Sequence, residues 1–305
     1  MTPRSSSITR YPPDHKLSAR MGLTMFLLGL VYVAFIAVLV VLIRSVAVVV
    51  IIAGGLLFAQ YWFSDRIALY AMRAREVTPE QEPQLHGIID RICATANMDK
   101  PRVAVADTDL PNAFATGRSS KRAVICVTTG LSRRLDADEM EGVLSHELSH
   151  VAHRDVAVMT IASFISVAAG LMARNALFAG MFRGRRDQNS AVILLVVVAV
   201  SVVVYAISFV LIRALSRYRE LAADRAGALL TGRPSTLASA LTKISGEMAR
   251  IPDRDLRTAE PLNAFFFAPA LRPDNALSTL LSTHPSLERR LDQLARISAQ
   301  IGRPT

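Results

Sequence analysis

A chain of 305 residues with 51% hydrophobic and only 20% charged residues is too apolar for disorder. Residues 22–63 and 191–212 are almost uncharged, so the chain is not wholly soluble either. Lys+Arg 35 against Asp+Glu 25 leave a net charge of +10, which in such a chain reads as anchoring to an anionic lipid bilayer, and no nucleic-acid role is expected.

Residues 1–21 form a basic tail with Arg4, Arg10, Lys16 and Arg20, which sets the amino terminus inside. The apolar run that follows, Gly22 to Ile43, is too long for a signal peptide and lacks a small-x-small cleavage site. Arg44 and Ser45 leave almost no loop before a second run, Val46 to Phe63, so 22–63 reads as a transmembrane hairpin closed by Tyr61, Trp62 and Phe63 at the interface. Val156 to Met172 and Ala191 to Ile212 are two further candidate spans within 156–212; the first is short and carries Thr160, Ser163 and Ser166. Arg174, Arg183, Arg185 and Arg186 between them run against the positive-inside rule if that loop is external. A hairpin that crosses twice and one that does not cross both return the chain to the side it left. Segments 64–155 and 213–305 therefore share a compartment.

In the first of these segments Pro83 to Ala96 predicts a helix. Arg102 to Ala106, Ala113 to Thr116 and Ala123 to Thr128 are short β-prone runs separated by turn formers. Asp136 to His153 is helical, with Asp136 or Asp138 as N-cap and Met140, Val143, Leu144, Leu148 and Val151 at helical spacing. Cys93 and Cys126 have no CxxC or Cys/His partner and are expected to be inert thiols. His86 has no partner pattern and is expected at the surface, and Phe265-Phe266-Phe267 is assigned to core packing or interfacial contact.

The chemistry lies in His146-Glu147-Leu148-Ser149-His150. Imidazoles at i and i+4 sit one turn apart, roughly 6 Å along the axis, and can converge on one Zn²⁺. Glu147 between them can take the proton of a water in the open coordination position without being a ligand. His153 lies roughly 10 Å from His146 along an unbroken helix and cannot complete the set; with Asp155 it reads as a cap at the membrane surface. The third ligand must come from the returning chain, which opens with Ser216-Arg217-Tyr218-Arg219-Glu220-Leu221-Ala222-Ala223-Asp224. Glu220 and Asp224 are again i and i+4. Glu220 would ligate the ion, and Asp224 would accept the free ring N–H of a ligating histidine.

With these residues in place the chain resembles the HtpX family of membrane-bound zinc endopeptidases, which is related to the CAAX prenyl endopeptidases. The matching stretches are Ser64-Asp65-Arg66-Ile67-Ala68-Leu69, Pro111-Asn112-Ala113-Phe114-Ala115-Thr116-Gly117-Arg118, Thr128-Thr129-Gly130-Leu131, Glu139 through His150, Arg219 through Asp224, and Ser282-Thr283-His284-Pro285. The resemblance implies an α+β zincin-like metalloprotease domain, mainly α with a small β-sheet, fused to about four transmembrane helices. It implies one Zn²⁺ per chain on His146, His150 and Glu220, with Glu147 as general base. It further implies degradation of misfolded membrane proteins in the stress response, from the cytoplasmic face of a bacterial inner membrane, with possible self-cleavage.

A substrate peptide is expected to lie antiparallel along Asn112, Ala113, Phe114, Ala115 and Thr116, pairing through backbone groups. His284, Tyr218 and Arg217 are the candidates for oxyanion contact; for His284 a helix-start role beside Pro285, ahead of the helical run Leu287 to Ile297, stands as an equal alternative. Two other functions remain open at this point: a catalytically silent membrane adaptor with the same fold, and a prenyl-peptide endopeptidase.

Overall fold

The computed structural model describes residues 15–42, 61–117, 119–160, 188–248 and 282–302, with scattered positions between 51 and 59 and at 162, 169 and 170. In chain order the elements are α1 (His15–Leu42), α2 (Ser64–Ala71), β1 (Arg75–Glu76), α3 (Pro83–Ala96), β2 (Arg102–Ala106), β3 (Ala113–Thr116), β4 (Val124–Thr128), α4 (Ala137–Ala152), α5 (Gln188–Thr231), α6 (Pro234–Met248) and α7 (Leu287–Ile301). The expected helices and strands of the first polar segment all form, within a residue of their expected limits.

The sheet has the order β1-β2-β4-β3, with β2 and β4 parallel and both outer pairs antiparallel. Side chains alternate across it, as a period of two dictates. Val103, Val105, Ile125 and Val127 join the main core with Ile89, Leu144, Leu148, Leu237 and Leu294 from the helices. Ala104, Ala106, Phe114, Val124 and Cys126 point the other way, against Ala68 of α2. Both faces are covered, which is why these strands read as unbroken apolar runs. Burial pushes the Cys93 thiol up to about 11 and the Cys126 thiol up to about 12, so both are buried and unreactive as expected. His86, in contrast, is not at the surface: it is buried with Nε2 3.1 Å from the Val77 carbonyl, a partner that only the fold brings near.

Among the described residues two helical stretches, Ser18–Phe35 in α1 and Leu195–Thr231 in α5, are long and apolar enough to cross a bilayer. Leu23, Phe26, Val33 and Leu195 stand exposed on them, the inverse of a water-soluble helix. Leu28 of α1, Ala162 and Leu215 of α5 pack between them, and the Tyr32 hydroxyl donates to the Ala162 carbonyl at 2.6 Å. The candidate spans Gly22 to Ile43 and Ala191 to Ile212 overlap these two helices. Most of Val46 to Phe63 and Val156 to Met172, the Arg174 to Arg186 loop and the Phe265 to Phe267 run lie outside the described residues.

The 44 residues of α5 do not stop at the apolar boundary near Ile212 but continue to Thr231. No proline or glycine interrupts the run before Gly227, and Gly232, at φ 67°, then ends it in the left-handed conformation. One rod therefore carries both a membrane candidate and the Glu220 region.

Candidate metal centre

The conformation of α4 is set locally. Asp136 accepts from the Glu139 amide at 2.9 Å, and the Glu139 carboxylate accepts from the Asp136 amide at 3.2 Å, a closed capping box. Glu139 is also held by Ser239 and Lys243 of α6, each at 2.7 Å. The apolar residues of α4 face the sheet core, and its neighbouring face turns to α5.

On that face the Nε2 atoms of His146 and His150 point at one another across 3.2 Å. Glu220, from α5, sets Oε2 3.7 Å from His146 Nε2 and Oε1 3.5 Å from His150 Nε2. One donor atom from each of the three lies within 4.8 Å of the others, a group able to hold a metal ion. The close approach of the two helices depends on Gly227: a Cβ there would come 3.0 Å from the His146 amide nitrogen.

Each imidazole turns its Nδ1 to a carboxylate. His146 Nδ1 lies 2.9 Å from Asp224 Oδ1, the arrangement expected of Asp224. Arg290 of α7 grips Asp224 with two bonds, Nε to Oδ2 at 2.7 Å and Nη2 to Oδ1 at 2.6 Å. His150 Nδ1 lies 2.5 Å from Asp155 Oδ2, and the Arg219 guanidinium meets the same oxygen at 2.5 Å. Asp155 is thus not an interfacial cap. The helix breaks at Arg154, whose φ is 55°, and the break swings Asp155 back into the interior. His153 does end α4, with Nδ1 2.7 Å from the Ser149 carbonyl, and stays outside the metal group.

Of the three oxyanion candidates the structure brings only His284 into the cluster, where its Nδ1 lies 3.1 Å from Glu220 Oε2. Arg217 instead donates to the Ser282 carbonyl at 2.9 Å, which tethers the start of the α7 segment to α5. The Tyr218 ring lies under the Arg20 guanidinium of α1 at 6.0 Å.

Electrostatics divides the carboxylates. Burial alone would raise Glu220, but His284, His150 and His146 hold it well below the usual carboxylate range. Asp224 is held down against its burial by Arg290 and His146. Burial draws His146 below the usual imidazole range, toward the neutral form a ligand needs. Glu147 moves oppositely: burial, with Glu220 nearby, pushes its carboxyl up to about 8. Four buried carboxylates, Glu147, Asp155, Glu220 and Asp224, face two buried guanidiniums, Arg219 and Arg290. Glu147 keeps its proton at this raised pKa, so the carboxylates of Asp155, Glu220 and Asp224 exceed the two guanidiniums by one negative charge. That excess favours a bound cation, and the neutral-imidazole and carboxylate donors suit zinc.

Beside the cluster lies β3, an edge strand. Thr128 N donates to the Asn112 carbonyl at 2.9 Å, so Asn112, Phe114 and Thr116 pair with β4. Only Ala113 and Ala115 aim backbone groups away from the sheet, and the Ala115 amide donates to Glu147 Oε2 at 3.1 Å. The Phe114 side chain faces α2, so of the expected contact residues Asn112, Phe114 and Thr116 do not present their backbone to a peptide on this edge.

The model of Peptidase family M48 matches residues 79–298, a stretch that contains the whole cluster. The chain belongs to peptidase family M48. The M48 chain is 61% identical to "Protease HtpX homolog 1" of Streptomyces coelicolor over 96% of its length and 97% of that protein's. It is 51% identical to "Protease HtpX homolog" of Moorella thermoacetica, covering 94% and 96% of the two. The HtpX resemblance read from the motifs is borne out, and the protein is a membrane metalloprotease. Among solved structures the crystal structure of S. mikatae Ste24p shares its fold, with a TM-score of 0.53 and 18% identity over 92% of this chain and 67% of that one.

Within this M48 site the sequence reading passed over Arg290, Arg219 and the true place of Asp155. A signal existed for Arg290. It shares the buried stripe of α7 with Leu294 and Ile297, and a cation on the apolar face of an amphipathic helix needs a buried anion.

Proposed function

We propose that this chain is a zinc-dependent endopeptidase that holds one Zn²⁺ on His146, His150 and Glu220 and cleaves peptide segments of misfolded membrane proteins at the cytoplasmic face of a bacterial inner membrane. The observation that carries the reading is the convergence of both Nε2 atoms and the Glu220 carboxylate on one point, with Glu147 beside it. When bound, zinc supplies Lewis acidity to the scissile carbonyl and lowers the pKa of the attacking water. Asp224 keeps the His146 Nδ1 proton and so aims Nε2 inward. Glu147, whose raised pKa suits proton transfer near neutral pH, takes the proton of the water and returns one to the leaving amine. The outward groups of Ala113 and the outward Ala115 carbonyl pair with an extended substrate antiparallel to β3. His284, bonded to Glu220, steadies the third ligand. A flexible segment of a neighbouring copy meets the same requirements as a misfolded substrate, which makes self-cleavage part of the reading.

The test is made on the detergent-purified full chain. Wild type should carry one zinc per chain, and His146→Ala and Glu220→Ala should both lose it. Glu147→Gln should keep zinc while cleavage of an unstructured peptide falls by about 10³-fold. Retention of zinc by Glu220→Ala overturns the third ligand. Wild type that binds no zinc points to an adaptor, and selective cleavage of an isoprenylated peptide over its unmodified twin points to prenyl-peptide chemistry.

A further inference from the structure

The two histidines of the cluster are supported by separate relays that come from different parts of the chain. His146 rests on Asp224 and Arg290, which belong to α5 and α7. His150 rests on Asp155 and Arg219, and this second relay has no counterpart in the reading of the motif.

We propose that Asp155 is the positioning residue of His150, anchored by Arg219, and that it joins the metal centre to the helical segment that packs among the apolar helices. The proposal rests on the zinc reading above. Its geometry follows from the helix break. In an unbroken helix, residue 155 would sit about 140° around the axis from residue 150 and could not reach its ring. Here Arg154 adopts φ 55°, its amide donates to the Val151 carbonyl at 3.1 Å, and its own carbonyl accepts from Ala157 at 3.0 Å. One helix thus ends and the next begins across two residues, His153 and Arg154. Asp155 is the first residue of the new helix and folds back over the last turn of α4.

The carboxylate is 7% exposed and Arg219 is 6% exposed. A buried carboxylate needs every strong partner it can find, and one oxygen of Asp155 serves both the imidazole and the guanidinium at 2.5 Å. Its acceptance of the His150 Nδ1 proton fixes the tautomer that leaves Nε2 free for the ion. Arg219 stands next to Glu220 in α5, so the same contact registers the second and third ligands against each other. Beyond Asp155, Val158, Met159 and Ala162 pack on Leu28 and Leu215. A displacement of that packing is transmitted to His150 through two bonds, whereas the Asp224 relay of His146 is anchored by Arg290 of α7.

The experiment measures zinc affinity of the detergent-purified full chain by chelator competition, together with the visible spectrum of the Co²⁺-substituted protein. Asp155→Ala should weaken zinc about 100-fold, and Asp155→Asn, which keeps one acceptor oxygen, about 10-fold, each with a shifted cobalt spectrum. Arg219→Lys should give a smaller loss in the same direction. His153→Gln, one turn from the cluster and outside it, should match wild type within about 2-fold. Continued protection of the buried Cys93 and Cys126 thiols from a thiol reagent certifies that each variant is folded. Folded Asp155→Ala with wild-type zinc affinity and cobalt spectrum overturns the positioning role alone. Loss of zinc by wild type overturns the zinc reading and this proposal with it, and a variant whose thiols react while its relay partner Arg219→Lys binds zinc as wild type does shows a purely structural role for Asp155.

Discussion

Helices α4 and α5 deliver their ligands to one point by opposite means. The 16 residues of α4 are capped at both ends, packed on the sheet, and carry two ligands one turn apart. The 44 residues of α5 run from an apolar half into the catalytic core, and the single ligand Glu220 sits where the two environments meet. A local motif fixes its own geometry. A lone carboxylate on a long rod needs bracing from outside, and the chain around α7 provides it, through Arg290 of α7 on Asp224 and His284, just before that helix, on Glu220.

The largest way to break this comparison is to remove the brace. Arg290→Ala leaves Asp224 ionised, fully buried and without its guanidinium, a loss of about 3–5 kcal/mol. We expect a steep fall in the thermal midpoint and a failure to retain zinc, since the His146 Nδ1 contact depends on the same carboxylate. A variant that melts with wild type would mean that α5 holds its register unaided.

The same contrast decides what was legible from the residues alone. The limits of α4 could be read because Asp136, Glu139 and the apolar repeat act over one or two turns. The Glu220 and Asp224 pair could be read because their spacing repeats that of the two histidines. The continuation of α5 could not: the change from apolar to charged near Ile212 marks a change of solvent, and a helix without Gly or Pro is free to run through it. Asp155 was hidden by the break at Arg154, because spacing arguments assume an unbroken helix. The choice of Ala113 and Ala115 as the outward pair on β3 required the register with β4, which is a property of two strands and not of one.

A second break uses pH on the metal-free protein. Burial raises the Glu147 carboxyl to about 8, far above its value in an unfolded chain. Between about pH 4.5 and pH 8 the unfolded chain is ionised there while the folded one keeps its proton, so folding binds protons and stability falls as pH rises through that window. Across it the loss from this group is about 5 kcal/mol. Glu147→Gln should flatten the slope and make the metal-free variant more stable than wild type at pH 8, with the two converging near pH 4.5. Parallel melting curves at every pH would show that Glu147 is ionised throughout.

Smaller changes sharpen the comparison by separating the two faces of α4. Gly227 and Gly142 both mark close approaches, yet the first faces the His146 amide and the second the Leu237 backbone of α6, where an added Cβ would come within 3.2 Å. Alanine at either position should cost about 1–3 kcal/mol through overpacking. Only Gly227→Ala should also weaken zinc, because it pushes the α5 ligand away from the α4 pair. Equal zinc affinity in the two variants would show that the α5 contact tolerates movement.

The smallest effect is expected at the start of α4. Asp136→Ala removes one half of the capping box and leaves the Glu139 amide without its side-chain acceptor, a cost of about 1 kcal/mol. Leu144 and Leu148 remain fully buried and Glu139 remains tied to Ser239 and Lys243, so the helix frays by its first turn without turning on its axis. His146 lies more than two turns further on. The thermal midpoint should fall by a few degrees while zinc affinity stays within about 2-fold of wild type. A parallel drop in zinc affinity would mean that the short helix, like the long one, depends on a brace remote from its ligands.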